Sequence, residues 1–226
     1  MRETAAKRRQ WGSLSRDEIV RVARRLIERD GLGDLSLTRL GKQLGAGPTS
    51  VYWYFESKEA LLAAVVDDVT REMYLRLPAV GHGSWDDEII EHHLAFRRLL
   101  QRTPIYREIF CYCAESLILE SRMAPFILDR LEEGLSLFLR AGLTPDQAVL
   151  AHNAFSSYTR AFVLIEEAGR HGERDPAAVQ LLMLALTRLL DLSPLESPEA
   201  LGGALVLDDD LYRRGLQLLV DGVRLR

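Results

Sequence analysis

Residues 36–58 read SLTRLGKQLGAGPTSVYWYFESK, and this stretch decides the fold. Ser36 stands where a helix N-cap is wanted, and Leu37, Leu40 and Leu44 then fall on one face of a short helix. Gly45 ends that helix, and Gly45 to Gly47 form the turn. Pro48 suits the first turn of the next helix, because the N–H it lacks would have no partner there. The spacing predicts a brief third helix from Pro48 to Phe55. Ser57 then caps a fourth, running through Leu61, Leu62, Val65, Val66 and Val69 toward Leu77. Cap, short helix, glycine turn, short helix is the pattern of a helix-turn-helix.

The third helix carries the chemistry. At 3.6 residues per turn, Val51 and Phe55 share one face, while Ser50, Tyr54 and the Pro48–Thr49 edge point elsewhere. Four consecutive aromatics, Tyr52 to Phe55, cannot all face one core. At least one ring must be exposed, and exposed rings beside a basic helix suit a binding surface. Hydroxyls and rings can touch base edges, thymine methyls and phosphates in a major groove. The Tyr54 hydroxyl is expected to read a base, and Lys58 is placed for a backbone phosphate. Upstream, Ser15 to Glu18 is a capping box, and Ile19, Val22, Ala23, Leu26 and Ile27 give the helical apolar stripe, with Gly31 as its stop. Arg21, Arg24 and Arg25 lie on the outward side.

Charge separates the two ends of the chain. The 226 residues carry a net −4, yet residues 1–60 hold twelve Lys/Arg against eight Asp/Glu, and the remainder holds 17 against 25. A basic head on an acidic body implies that only the head meets a polyanion. The hydrophobic share of 47% supports a sizeable core and excludes general disorder. No apolar run is long enough for a transmembrane helix, and no apolar segment follows the basic start, so no secretory leader is expected and the cytoplasm is the expected location. Cys111 and Cys113 are too few and too close for a metal site and read as buried thiols. Nucleotide-binding loops, zinc-protease helices and nucleophile elbows are missing, no cofactor or metal is implied, and an enzyme is not expected.

Beyond residue 84 the chain reads as helices near 85–103, 104–119, 122–141, 145–168, 176–191 and 209–223, so the fold class is all-α. In the last helix Leu211, Gly215, Leu218 and Gly222 form one stripe whose small residues would permit close helix approach. With the helix near 145–168, this stripe is the expected homodimer interface. Aromatic and soft side chains with scattered polar groups point to a small, largely apolar effector site. Its candidate residues are His92, Phe96, Phe110, Met123, Phe126, Phe155 and Tyr158.

The run from Leu37 to Leu62 resembles the DNA-binding head of the tetracycline-repressor (TetR) family. It has the Leu-Gly turn, the small-residue helix start, the Tyr-x-Tyr-Phe core and the Ser-Lys-x-x-Leu-Leu exit, and the likeness covers about residues 14–65. The resemblance implies a basic arm at 1–13, a helix-turn-helix DNA-binding domain at 14–60 and a helical ligand-binding and dimerisation domain at 61–226. It assigns DNA contacts to Ser36, Thr38, Arg39, Pro48, Thr49, Ser50, Tyr52, Trp53, Tyr54 and Lys58. Tyr52 would reach a phosphate while packing its ring. Gly47 and Pro48 replace polar residues common there, which leaves the base preference open. The implied function is a ligand-responsive regulator, a repressor by the family's usual mode. It would bind double-stranded DNA at a near-palindromic site as a homodimer, and a small-molecule effector would release it. A helical adaptor that binds protein through the aromatic head is the alternative. Residues 7–11, KRRQW, could reach an adjacent groove or track phosphates.

Overall fold

A computed structural model of the chain describes residues 14–112, 125–170 and 208–225, and within them every regular element is helical. The head begins with α1 (Arg16–Asp30), whose N-cap Ser15 accepts the Glu18 N–H at 3.1 Å. Gly31, at φ 85°, closes α1 with its N–H on the Ile27 carbonyl at 2.8 Å. This left-handed backbone favours glycine. Then come α2 (Leu37–Gln43), α3 (Pro48–Tyr52) and α4 (Lys58–Tyr74). Ser36 and Ser57 cap α2 and α4 by accepting the N–H groups of Arg39 and Ala60.

These helices enclose one apolar core. Ile19, Val22, Ala23, Leu26 and Ile27 of α1 are buried, as are Leu40, Leu44, Val51 and Phe55, with Leu61, Val65, Val66, Val69 and Met73 of α4. The stripes read from the sequence are the stripes that pack. The compact unit holding the head also takes in α6 (Pro104–Arg107) and a π-helical stretch, Glu108–Tyr112. Tyr106 is buried and donates its hydroxyl to Glu72 on α4 at 3.0 Å. Glu108 accepts the Leu32 N–H at 3.0 Å, just past the end of α1.

The second compact unit contains most of α5 (Trp85–Arg102) and α7 (Pro125–Arg140), with α8 (Pro145–Arg170) and α9 (Asp209–Arg224). Its core is Ile89, Leu94, Leu137, Phe138, Ala148, Phe155, Phe162, Tyr212, Leu216 and Val220. Two polar devices hold it. Glu88 reaches back from α5 to accept the N–H groups of Gly81, His82 and Gly83. Burial works to raise the Glu88 carboxyl pKa, but these donors and Arg140 outweigh it and hold the carboxyl at about 2. Arg97, buried on α5, meets Glu166 of α8 at 2.5 Å and Asp209 of α9 at 2.6 Å, so one guanidinium ties three helices. The helix expected at 176–191 lies outside the described residues, as does Cys113. Cys111 is half-buried, not buried as expected.

Candidate nucleic-acid interface

Helix α3 is shorter than its spacing predicts. It ends at Tyr52, and the N–H groups of Tyr54 and Phe55 both turn onto the Val51 carbonyl at 3.0 Å. The backbone tightens there because Ser57 must arrive in extended form to cap α4. The two faces separate sharply. Val51 and Phe55 are 0% and 1% exposed, whereas Tyr52 and Trp53 are 53% and 71% exposed. Thr49 is exposed and Ser50 half-buried. The head therefore presents hydroxyl and aromatic groups to solvent beside a buried core. Tyr52, expected to pack much of its ring, is more exposed than that.

Around this surface stand the other expected contacts. Thr38 is exposed on α2, and Ser36 is exposed while its oxygen serves as the cap. Pro48 opens α3, and Lys58, half-buried, opens α4. Arg39 is exposed, but its guanidinium pairs with Asp30 at 2.8 Å. Asp30 is shared with Arg29, which together with Arg39 holds its carboxyl below the usual range. A phosphate met by Arg39 would have to displace Asp30. Nothing in the composition of α2 signals this partner, which lies at the far end of α1.

Two expectations are corrected. Tyr54 is half-buried and donates its hydroxyl to the Leu14 carbonyl at 2.6 Å, so the proton expected to read a base is committed inside the head. Its own carbonyl accepts from Arg16 at 3.0 Å, and the Arg16 guanidinium lies 4.2 Å over the Phe55 ring. Arg24, expected to point outward, turns to α4 and pairs with Asp68 at 2.7 Å and Glu72 at 2.6 Å.

The expected effector residues divide. His92, Phe96, Phe155 and Tyr158 belong to the second unit, and Phe110 to the first. Met123 lies outside the described residues, as does the side chain of Phe126. His92 Nδ1 is sealed from solvent and has no hydrogen-bond partner among the described residues. Burial, and then the neighbouring His152, lower the His92 pKa to about 4. His93 is buried and lies 2.8 Å from the Thr159 hydroxyl, which also meets Phe155 O and Tyr212 Oη. Tyr212 in turn reaches the His93 carbonyl at 3.0 Å. The Thr159 hydroxyl donates to the Phe155 carbonyl and the Tyr212 hydroxyl to the His93 carbonyl, which leaves neutral His93, with its proton on Nδ1, as the donor to Thr159. Burial first, then His92 and His152, hold His93 well below its ordinary pKa. Among the described residues, no group of three or more His, Cys, Asp or Glu is arranged to hold a metal ion.

The stripe on α9 also divides. A Cβ on Gly215 would sit 2.0 Å from the Tyr158 hydroxyl, so its close approach is within the chain rather than to a second copy. Leu211 packs against the core of its own unit. Leu218 is half-buried, and Gly222 is exposed with open space where a Cβ would stand. On α8, Val149 and Leu150 are 45% and 66% exposed. No helix among the described residues is long and apolar enough to cross a membrane. Sequence reading missed the Arg97–Glu166 pair. A lone arginine and a lone glutamate on otherwise apolar helix faces were the available signal.

Comparison with known proteins agrees with this geometry. Residues 19–65 match the family model described as bacterial regulatory proteins, tetR family, and residues 77–226 match the tetracyclin repressor-like C-terminal domain. An HTH-type transcriptional regulator of Saccharopolyspora erythraea is 31% identical over 214 residues, covering 93% of this chain and 84% of that protein. The HTH-type transcriptional repressor Rv1353c of Mycobacterium tuberculosis is 28% identical over 177 residues, covering 77% and 67%. Among solved structures, the Streptomyces coelicolor TetR family protein ActR in complex with actinorhodin superposes with a TM-score of 0.66 at 23% identity, covering 94% of this chain and 97% of that one.

Proposed function

The chain belongs to the TetR family of DNA-binding transcriptional regulators, non-enzymatic proteins, and from that premise we propose how it works. It acts as a repressor that binds a near-palindromic operator as a homodimer in the cytoplasm, and a small, largely apolar effector releases it. The observation that carries this reading is the exposed Tyr52–Trp53 pair at the C-terminal end of α3, beside the buried Val51 and Phe55. With Pro48, Thr49 and Ser50, the pair reads bases and thymine methyls, while Ser36, Thr38, Arg39 and Lys58 meet phosphates or groove edges.

One head offers few contacts, so two heads would engage successive major grooves, about 34–36 Å apart. The dimer surface includes Leu218 and Gly222 of α9 together with the exposed Val149 and Leu150 of α8. The effector lies in the second unit near His92, Phe96 and Phe155, and His92 Nδ1 supports a ligand that carries one hydrogen-bonding group. The complex of the structural neighbour ActR with actinorhodin supports a small-molecule ligand for this fold. Effector binding that favours one head spacing by about 1–3 kcal/mol would loosen the operator 5- to 150-fold.

Selection of bound sequences from random duplex DNA tests the reading in one experiment. The expected product is an inverted repeat whose half-sites are one helical turn apart. Recovery of no enriched sequence, with binding indifferent to salt, would favour the protein adaptor. Titration of the half-buried Trp85, whose ring packs against the core of the second unit, tests the pocket. A panel of lipophilic aromatic compounds that leaves its fluorescence unchanged counts against the effector site.

A further inference from the structure

Resting on the DNA-binding reading above, we propose that Asp30 limits the affinity of the head: it is an internal counter-ion that occupies Arg39 and competes with the phosphates of any duplex for it. Asp30 is the last residue of α1, and Arg39 stands in the first turn of α2. An acid at a helix C-terminus meets the negative end of the helix dipole, so α1 itself does not favour the Asp30 charge. Two guanidiniums hold it instead. Arg29 donates to both carboxylate oxygens at 2.8 to 3.0 Å. Arg39 Nη2 pairs with Oδ2 at 2.8 Å. The Asp30 side chain is the most sheltered of the three, at 18% exposed.

This pairing takes up the fork that a phosphate needs. Arginine grips phosphate through two parallel N–H groups. Arg39 has Nη2 on Asp30, while Nη1 turns to the Asp34 carbonyl at 3.5 Å. Both terminal nitrogens are therefore engaged around the connection between α1 and α2, although Arg39 and its neighbour Thr38 are exposed. A phosphate that takes Arg39 gains only the difference between its own attraction and the one it replaces. The ion pair is partly open to water, so the attraction replaced is modest and the exchange is reversible. Removing the carboxylate has two effects with the same sign. It frees the fork, and it takes a negative charge off a surface that meets a polyanion. Phosphate contacts carry no base information, so the gain should be of similar size on operator and random DNA.

The test uses the full chain, the operator found by selection and a scrambled duplex, with affinity measured against KCl concentration below the melting transition of each variant. Asp30→Asn should tighten both duplexes by about 3- to 8-fold at about 0.1 M KCl, and steepen the slope of log K on log salt by about 1. Asp30→Glu keeps the charge and should stay near native affinity. Arg39→Gln should change binding by less than about twofold in the native background, because its charge is already matched there. In the Asp30→Asn background it should remove most of the gain and restore the native slope. Asp30→Asn also releases Arg29, and the double variant separates the two arginines. A gain that persists without Arg39 overturns the proposal, as does an Arg39→Gln loss of equal size in both backgrounds. So does an Asp30→Asn chain that binds no tighter than the native one. Damage to the fold cannot imitate the expected result, since it weakens binding. A native chain that binds neither duplex overturns the DNA-binding reading itself.

Discussion

Single residues on the head separate binding from folding. Trp53 lies 71% exposed and Val51 fully buried two positions earlier, so their substitutions should fail in different ways. Trp53→Ala removes a ring that is mostly exposed to solvent. It should leave the melting temperature within about 2 °C of the native value, since surface changes cost within about 0.5 kcal/mol. If the ring has the proposed base-reading role, operator affinity should fall by tenfold or more, while random-duplex affinity falls less. Lys58→Gln should weaken both duplexes together and lower the salt slope by about 1. Binding isotherms on operator and scrambled duplex distinguish the two. A Trp53→Ala chain that melts early but binds normally once folded would assign the ring to structure. Arg39 is a contrasting case: its charge is already shared with Asp30 at 2.8 Å, so its loss should cost less affinity than that of Lys58.

At the scale of elements, glycines on one helix carry opposite predictions. On α9, Gly215 faces Tyr158, whose ring stacks on Tyr212 at 5.4 Å and only 5° from parallel. That ring cannot swing aside cheaply, so Gly215→Ala should destabilise the second unit by about 1–3 kcal/mol at any protein concentration. Gly222 has open space around it, so a side chain there is harmless within the chain and informative about a second copy. Gly222→Leu should move dimer dissociation to at least tenfold higher protein concentration in sedimentation, with secondary structure intact. Unchanged self-association would remove Gly222 from the interface. These helices also mark how far sequence can be read. Caps at Ser15, Ser36 and Ser57 and the stripes of α1 and α4 were legible because they are local periodic signals, settled within a turn or two. The end of α3 at Tyr52, the inward turn of Arg24 and the Tyr54–Leu14 bond were not. Each depends on a partner about 40 residues away or on the geometry of the next cap. Gly215 belongs with them: a small residue signals close approach but not which helix approaches.

Across the whole molecule, titration should act on one compact unit and spare the other. All five histidines fall in residues 77–101 and 130–226, so the unit containing the head has none. His92 and His93 are held neutral, His92 with a pKa of about 4, chiefly by burial. In the unfolded chain both would titrate near their ordinary value of about 6.5. Between those limits the unfolded state binds more protons than the folded one. Stability is therefore complete above about pH 7 and declines as pH falls from about 6.5 toward 4. For His92 the loss is on the order of 2 kcal/mol across that window, discounted because the residue is only half-buried. Glu88 acts later: its carboxyl is held at about 2 against an ordinary 4.5, so its contribution is lost only as pH falls below about 4.5. Acidification from pH 7.5 to 5 thus isolates the histidines. The melting temperature should fall by several degrees, and His92→Gln should flatten part of that dependence. Amide exchange should accelerate in α5 and α8 while α1 and α4 keep their protection. Parallel melting curves for native and His92→Gln chains, or equal loss of protection in the head, would show that the buried imidazoles do not control the response. The expected pattern has a consequence for the proposed regulation: mild acid would loosen the second unit, where the effector is proposed to bind, while the head stays folded, so apparent effector affinity should weaken before operator binding is lost.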